Sequence, residues 1–164
     1  MLHSRNRTPS LGDIEQVYRR RCDEYRRVAT AIVGDPDRAR DAVQDAFATA
    51  VRKRAAFRGE GPLEAWIWRA VVNTALNQLR AAPRELPGYD RNGDTPHEDA
   101  DASELRGTLK LLPERQRLAL FLRYYADLDY ATIATVLEIS EGTVAATLHA
   151  AHGSLRRRLE EVQL

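Results

Sequence analysis

Between Ala81 and Ser103 every hydrophobic period in this chain stops. The segment contains Pro83, Pro87, Gly88, Gly93 and Pro96, and residues 81–105 carry seven Asp or Glu against two Arg. Its few apolar side chains cannot offset the entropy of ordering it. About twenty irregular residues are out of place inside one compact domain but natural between two. The 164-residue chain is therefore expected to form two small domains, 10–80 and 104–164, joined by a flexible acidic linker over 81–103.

Both flanking segments read as helices. Asp13 is placed to cap a first helix whose apolar positions Ile14, Val17, Tyr18, Tyr25, Val28, Ala29 and Ile32 recur at helical spacing. Gly34 ends it, and Asp35-Pro36 restarts the chain as N-cap and first helical residue. The second helix buries Ala39, Ala42, Val43, Ala46, Phe47, Ala50 and Val51. After the turn Arg58-Gly59-Glu60-Gly61, Pro62 opens a third helix buried through Leu63, Ile67, Ala70, Val71 and Thr74.

The second domain resumes at Glu104 with a short helix ending near Leu112. Pro113 opens the next, with Leu118, Phe121, Leu122 and Tyr125 on one face. Asp129 caps a brief helix through Ile133, Val136 and Leu137. A tight turn at Glu138-Ile139 leads to Ser140, the N-cap of a final helix with the stripe Val144, Leu148, Ala151 and Leu155. A short helix, a tight turn and a longer Ser-capped helix form the helix-turn-helix pattern. No segment alternates at period two, so the fold class is all-α.

Composition narrows the function. No run approaches the roughly 18 consecutive apolar residues of a membrane helix, and Met1 to Gly12 lacks the apolar core of a secretory signal. Cys22, the only cysteine, excludes an internal disulfide framework and a Cys-rich zinc site, and the expected location is cytoplasmic. The net charge of +1 conceals a division. Residues 1–80 carry 15 Lys or Arg against 10 Asp or Glu, whereas residues 106–164 carry 8 against 7. A basic half, an acidic spacer and a near-neutral half point to two modules with different electrostatic tasks.

Catalysis finds little support. Gly59-Glu60-Gly61-Pro62 lacks the spacing and the Lys-Ser/Thr ending of a phosphate-binding loop. His149 and His152 lie three apart on a helix, but no third metal ligand accompanies them. The expectation is a chain that is not an enzyme and takes no cofactor and no metal. Nucleic-acid binding fits better. Arg156, Arg157 and Arg158 follow the helix-turn-helix and are placed to meet phosphates. The third helix offers Trp66, Trp68, Asn73, Asn77 and Arg80, which combine base-stacking surfaces with amide and guanidinium groups. Periodicity by itself favours a core position for Trp66, beside Ile67 and Ala70, and leaves Trp68 open.

In their order these motifs resemble the extracytoplasmic-function (ECF) group of bacterial RNA polymerase sigma factors. The likeness runs from about Val17 to Leu159. It includes Asp41-Ala42-Val43-Gln44-Asp45-Ala46-Phe47, similar to the family's D-x-V-Q-[DE]-x-F run, then Phe57 to Gly61, Ala65-Trp66-Ile67-Trp68-Arg69 and Asn73-Thr74-Ala75. The second module matches through Leu112-Pro113-Glu114-Arg115-Gln116-Arg117 and Ile139-Ser140-Glu141-Gly142-Thr143-Val144. The resemblance implies that the second helix docks on the clamp helices of the polymerase β′ subunit, with Asp41, Gln44, Asp45 and Phe47 at or near that contact. Periodicity sends Asp41, Gln44 and Asp45 away from the apolar stripe and puts Phe47 in it.

The resemblance further implies that Trp66, Trp68, Asn73, Asn77 and Arg80 engage the promoter −10 element, Asn73 beside a pocket for an extruded base. The helix from Ser140 would read the −35 element through Ser140, Glu141, Thr143, Ala146, Thr147, His149 and Arg156. The β flap and an anti-sigma factor are further implied partners, and no membrane insertion is implied.

Departures from the family concentrate in the recognition helix. Ala145, Thr147 and Ala150 stand where relatives commonly carry basic residues, leaving no Arg or Lys to grip guanine. Glu138 replaces the usual turn glycine, at up to about 1 kcal/mol if the backbone needs positive φ. Gly153 costs roughly 1 kcal/mol inside the last helix, and Val72 and Asn77 occupy places often held by Arg and Asp. Two other functions fit the sequence: an accessory subunit that binds polymerase with weakened −35 reading, and a stand-alone helix-turn-helix regulator that binds duplex DNA by itself.

Overall fold

The computed structural model describes residues 7–82 and 100–162. Most of the expected linker, 83–99, lies outside the described residues. The rest is all-α: α1 (Leu11–Val33), α2 (Pro36–Arg52), a 3-10 turn (Arg54–Ala56), α3 (Leu63–Ala81), α4 (Ala100–Lys110), α5 (Glu114–Tyr124), α6 (Tyr130–Leu137) and α7 (Glu141–Val162).

Local chemistry sets most of these boundaries. The side chain of Asp35 accepts from the N–H groups of Asp37 and Arg38, both at 2.9 Å, and Pro36 follows at the first helical position. Gly34 takes the left-handed conformation (φ 77°) that closes α1 and donates its N–H to the Thr30 carbonyl. The start of α1 differs from expectation. Ser10 rather than Asp13 is the N-cap: Ser10 Oγ accepts from the Asp13 N–H at 3.1 Å, and Asp13 Oδ2 accepts from the Ser10 N–H at 2.7 Å. The pair closes a reciprocal capping box, which satisfies two terminal donors where a lone Asp13 cap would satisfy fewer. The Ser10 N–H and hydroxyl both donate to Asp13 Oδ2 and hold its carboxyl below its usual pKa.

Helix α4 opens at Ala100, ahead of the expected Glu104, so the last four residues of the 81–103 segment are helical. Ala100 and Ala102 are strong helix formers and extend the helix upstream of the first apolar repeat.

Helices α1, α2 and α3 pack against one another around Tyr25, Val28, Val43, Ile67, Trp68 and Val71, each at most 1% exposed. An aromatic row runs through this core: Tyr18 meets Phe47 edge-on at 4.9 Å, Phe47 meets Tyr25 at 5.2 Å, and Tyr25 meets Trp68 at 4.3 Å. Burial pushes the Tyr25 hydroxyl far up from its ordinary pKa, with Glu64 adding to it, so the phenol stays neutral in the core. In the second group α5, α6 and α7 enclose Leu122, Ile133, Val144, Leu148 and Ala151. Asp129 caps α6 by accepting from the Thr132 N–H at 2.8 Å.

The two groups touch. Helix α3 lies along α6, and α1 meets α5. Helix α1 is kinked at Arg21 (φ −132°, ψ 19°), whose guanidinium pairs with Glu64 at 2.8 Å and donates to the Ala126 carbonyl at 2.9 Å.

Candidate nucleic-acid interface

The helix-turn-helix is α6 and α7 with Glu138-Ile139-Ser140 between them. Glu138 is left-handed (φ 56°, ψ 44°), and the Ile139 N–H reaches the Ala134 carbonyl at 3.0 Å. The turn therefore does require positive φ, and Glu138 bears the strain a glycine would escape. Ser140 caps α7 by accepting from the Thr143 N–H at 3.1 Å, and the two hydroxyls share a hydrogen bond at 2.8 Å. Val144, Leu148 and Ala151 face inward. Glu141, Thr143, Ala146, His149 and Arg156 are exposed and Thr147 half-buried, so the expected outward face is open to solvent. That face presents hydroxyls, methyls and an imidazole between the Glu141 and Arg156 charges.

His149 and His152 are not a pair. His152 Nε2 hydrogen-bonds the Tyr124 hydroxyl at 2.8 Å, and no cluster of three His, Cys, Asp or Glu suited to a metal occurs among the described residues.

On α3, Trp66, Asn73, Asn77 and Arg80 recur at spacings of seven, four and three and so share one face. Asn73, Asn77 and Arg80 are exposed; Trp66 is half-buried, its ring edge-on to Phe57 at 5.7 Å. Trp68 is different. It is fully buried against Tyr25, and its indole N–H meets no hydrogen-bond acceptor among the described residues. A ring with no exposed surface cannot stack on a base, so Trp68 is corrected to a core residue. Periodicity left Trp68 open and favoured core for Trp66: Trp68 packs inward against Tyr25 of α1, while Trp66 is partly buried against the core and keeps an accessible edge. Val72 is likewise core, at 2% exposure.

Arg69 is a residue that sequence reasoning did not single out for this face. It lies three positions after Trp66 and four before Asn73, which is the spacing that places it in the same stripe. Its guanidinium pairs with Glu138 at 2.9 Å, and Arg80 pairs with Glu114 at 3.0 Å.

A third surface lies on α2. Asp41, Gln44 and Asp45 are exposed and adjacent on the side opposite the Ala/Val stripe. Phe47 is half-buried beneath Tyr18 and Tyr25, and Gln44 and Phe47 line a shallow apolar groove with Leu11, Ile14, Tyr18 and Val51. Cys22 is half-buried on α1.

Comparison with known proteins matches both halves to one group. Residues 17–85 match sigma-70 region 2, and residues 102–152 match sigma-70 region 4. The RNA polymerase sigma-H factor of Pseudomonas aeruginosa is 32% identical over 147 residues, covering 78% of this chain and 76% of that one. The ECF RNA polymerase sigma-E factor of Haemophilus influenzae is 32% identical over 139 residues, covering 73% and 74%. In fold the chain resembles CnrH in complex with the cytosolic domain of CnrY, with a TM-score of 0.72 at 19% identity over 93% of this chain and 90% of that one. It also resembles RpoE of Bartonella quintana in complex with the anti-sigma factor NepR, with a TM-score of 0.70 at 24% identity over 92% and 98%. The chain belongs to the sigma-70 family. Within it, the protein is a sigma factor of the ECF type, a transcription-initiation factor of bacterial RNA polymerase. The stand-alone regulator falls away, because a region 2 half has no place in it. No described helix is long and apolar enough to cross a membrane.

Proposed function

We propose that the three surfaces divide the work of initiation. Asp41, Gln44 and Asp45 on α2 dock on the β′ clamp helices, with Phe47 holding the face from beneath. The stripe Trp66, Asn73, Asn77 and Arg80 on α3 takes the −10 strand. Trp66 supplies a stacking edge, Asn73 supplies amide contacts to an extruded base, and Arg80 meets a phosphate. Extrusion costs a few kcal/mol, which stacking and edge hydrogen bonds offset. Strand opening here is binding energy, with no bond made or broken.

Helix α7 enters the −35 major groove, with the basic run from Arg156 on the backbone, and the second domain also meets the β flap. The domains are 10–80 and 104–164, joined through the segment 81–103, whose last residues begin α4. The protein works in the cytoplasm and takes an anti-sigma partner, as the solved neighbour RpoE was captured with the anti-sigma factor NepR. The observation that carries this reading is the α3 face, where two asparagines stand exposed between an accessible Trp edge and an arginine.

The exposed face of α7 favours a second reading, an accessory subunit with weakened −35 recognition. Ala145, Ala146, Thr147, His149 and Ala150 offer no bidentate donor for guanine. Transcription of fragmented genomic DNA by core polymerase, with and without the protein, separates the two. New 5′ ends sharing −10 and −35 motifs establish promoter-specific initiation and reveal the consensus. No new starts from a protein that co-purifies with core establish the accessory subunit.

A further inference from the structure

We infer that Arg38 is a positioning residue for promoter opening: reaching from α2, it holds the last turn of α3 and so places Asn77 and Arg80. The inference rests on the proposed role of α3 in −10 binding. Helices α2 and α3 pack against each other, and the first turn of α2 meets the last turn of α3. Across that junction the half-buried Arg38 guanidinium donates to the Gln78 carbonyl at 2.9 Å. The same carbonyl accepts the Ala82 N–H at 3.1 Å, the bond that closes the helix. Gln78 lies between Asn77 and Arg80, the exposed C-terminal half of the stripe.

The end of α3 is a place where such a bond matters. Helix α1 stops at Gly34, whose left-handed backbone turns the chain. Helix α3 instead runs out through Ala82 in an extended conformation (φ −63°, ψ 135°), with no left-handed residue at that position. The last carbonyls of a helix lack intrahelical donors and carry its partial negative charge. A guanidinium that donates to one of them supplies a charge-assisted hydrogen bond and complements the dipole at once. Arg38 is itself fixed, because its backbone N–H donates to Asp35 Oδ1 at 2.9 Å. The cap that starts α2 therefore also sets the point from which the side chain reaches α3.

Losing one such bond at a half-buried site should weaken the turn about three- to tenfold. Arg38→Met keeps a long apolar stem and removes the donors, whereas Arg38→Lys keeps a cation. The first arm is amide-resolved hydrogen exchange by NMR on the full-length protein without polymerase or DNA. In Arg38→Met the Ala81 and Ala82 amides should exchange faster by that factor. Arg52 and Lys53, at the far end of α2, should stay within twofold, and Arg38→Lys should recover most of the protection. Unchanged exchange at Ala81 and Ala82, or equal acceleration at both places, overturns the local role.

The second arm reads promoter opening by 2-aminopurine fluorescence in the −10 region, with holoenzyme in excess. Arg38→Met should lower the opening equilibrium about three- to tenfold in the parent, and Arg38→Lys should restore most of it. In an Asn77→Ala/Arg80→Ala background the same change should cost less than twofold, because the groups it positions are gone. An equal loss in both backgrounds overturns positioning and leaves Arg38 a structural residue. If Asn77→Ala/Arg80→Ala opens the promoter like the parent, the −10 reading of α3 falls and the positioning role with it. The exchange arm, which uses no promoter, then still shows whether Arg38 holds the turn, so the two failures are distinct.

Discussion

Replacing Trp68 tests the reassignment of that residue from DNA contact to core. Trp68 is 0% exposed, with its ring centroid 4.3 Å from that of Tyr25 in the centre of the α1–α3 packing. Truncating a buried Trp to Ala removes its transfer energy and leaves a cavity, together about 3–5 kcal/mol. For a chain of this size each kcal/mol moves Tm by about 2–4 °C, so Trp68→Ala should fall by about 6–20 °C. That loss is a large part of ordinary protein stability, and the variant is at risk of unfolding.

Trp68→Phe keeps the measurement usable. It retains an aromatic ring against Tyr25 and discards an N–H that has no hydrogen-bond partner, so it should cost no more than about 1.5 kcal/mol. Thermal unfolding followed at 222 nm reads the stability. Fluorescence of 2-aminopurine in the −10 region of a mapped promoter reads strand opening. The core role requires that opening, measured well below Tm, be unchanged in Trp68→Phe, whereas Trp66→Ala should impair opening with a smaller loss of Tm. An unchanged Tm in Trp68→Ala together with lost opening would put the indole on the nucleic acid and refute the reasoning.

Replacing Asp41, Gln44 and Asp45 together by Ala should abolish co-purification with core polymerase while leaving helical content intact, since all three are exposed. Unchanged binding would remove the docking face. Asn73→Ala should impair promoter opening more than polymerase binding, and equal losses would count against a base pocket. Gly153→Ala should stabilise the protein by up to about 1 kcal/mol in urea unfolding, because a Cβ there meets nothing within 4 Å and the residue sits inside α7. Asp129→Ala should cost about 1 kcal/mol near pH 7 through the lost α6 cap. Hydrogen bonds from Thr132 hold the Asp129 carboxyl below its usual pKa. Its stabilisation is therefore present above the unfolded value of about 3.9 and lost as pH falls through the folded one, so variant and parent should converge in acid.

Much of the fold is legible along the chain because helices are specified locally. The apolar repeat of α2 from Ala39 to Val51 and the caps at Asp35, Asp129 and Ser140 all involve residues within a few positions of one another. The capping box at Ser10 and Asp13 was legible too, as an S-x-x-D spacing, but the acidic residue alone drew the boundary. The positive φ demanded at Glu138 could be anticipated from its place in the turn.

The candidate site divides along the same line. Periodicity shows that Trp66 and Trp68 cannot share a face, and that Asn73, Asn77 and Arg80 can. Which tryptophan turns inward depends on Tyr25 of α1, more than forty positions earlier, so only packing settles it. The partners of Arg69 and Arg80 are likewise distant along the chain, at Glu138 and Glu114. Sequence by itself determined the helices, most of their caps and the family, because those rest on short-range spacing. Tertiary structure decided which side chains are core, which are surface and which arginines already hold a carboxylate, because burial and ion pairing join residues that only the folded chain brings together.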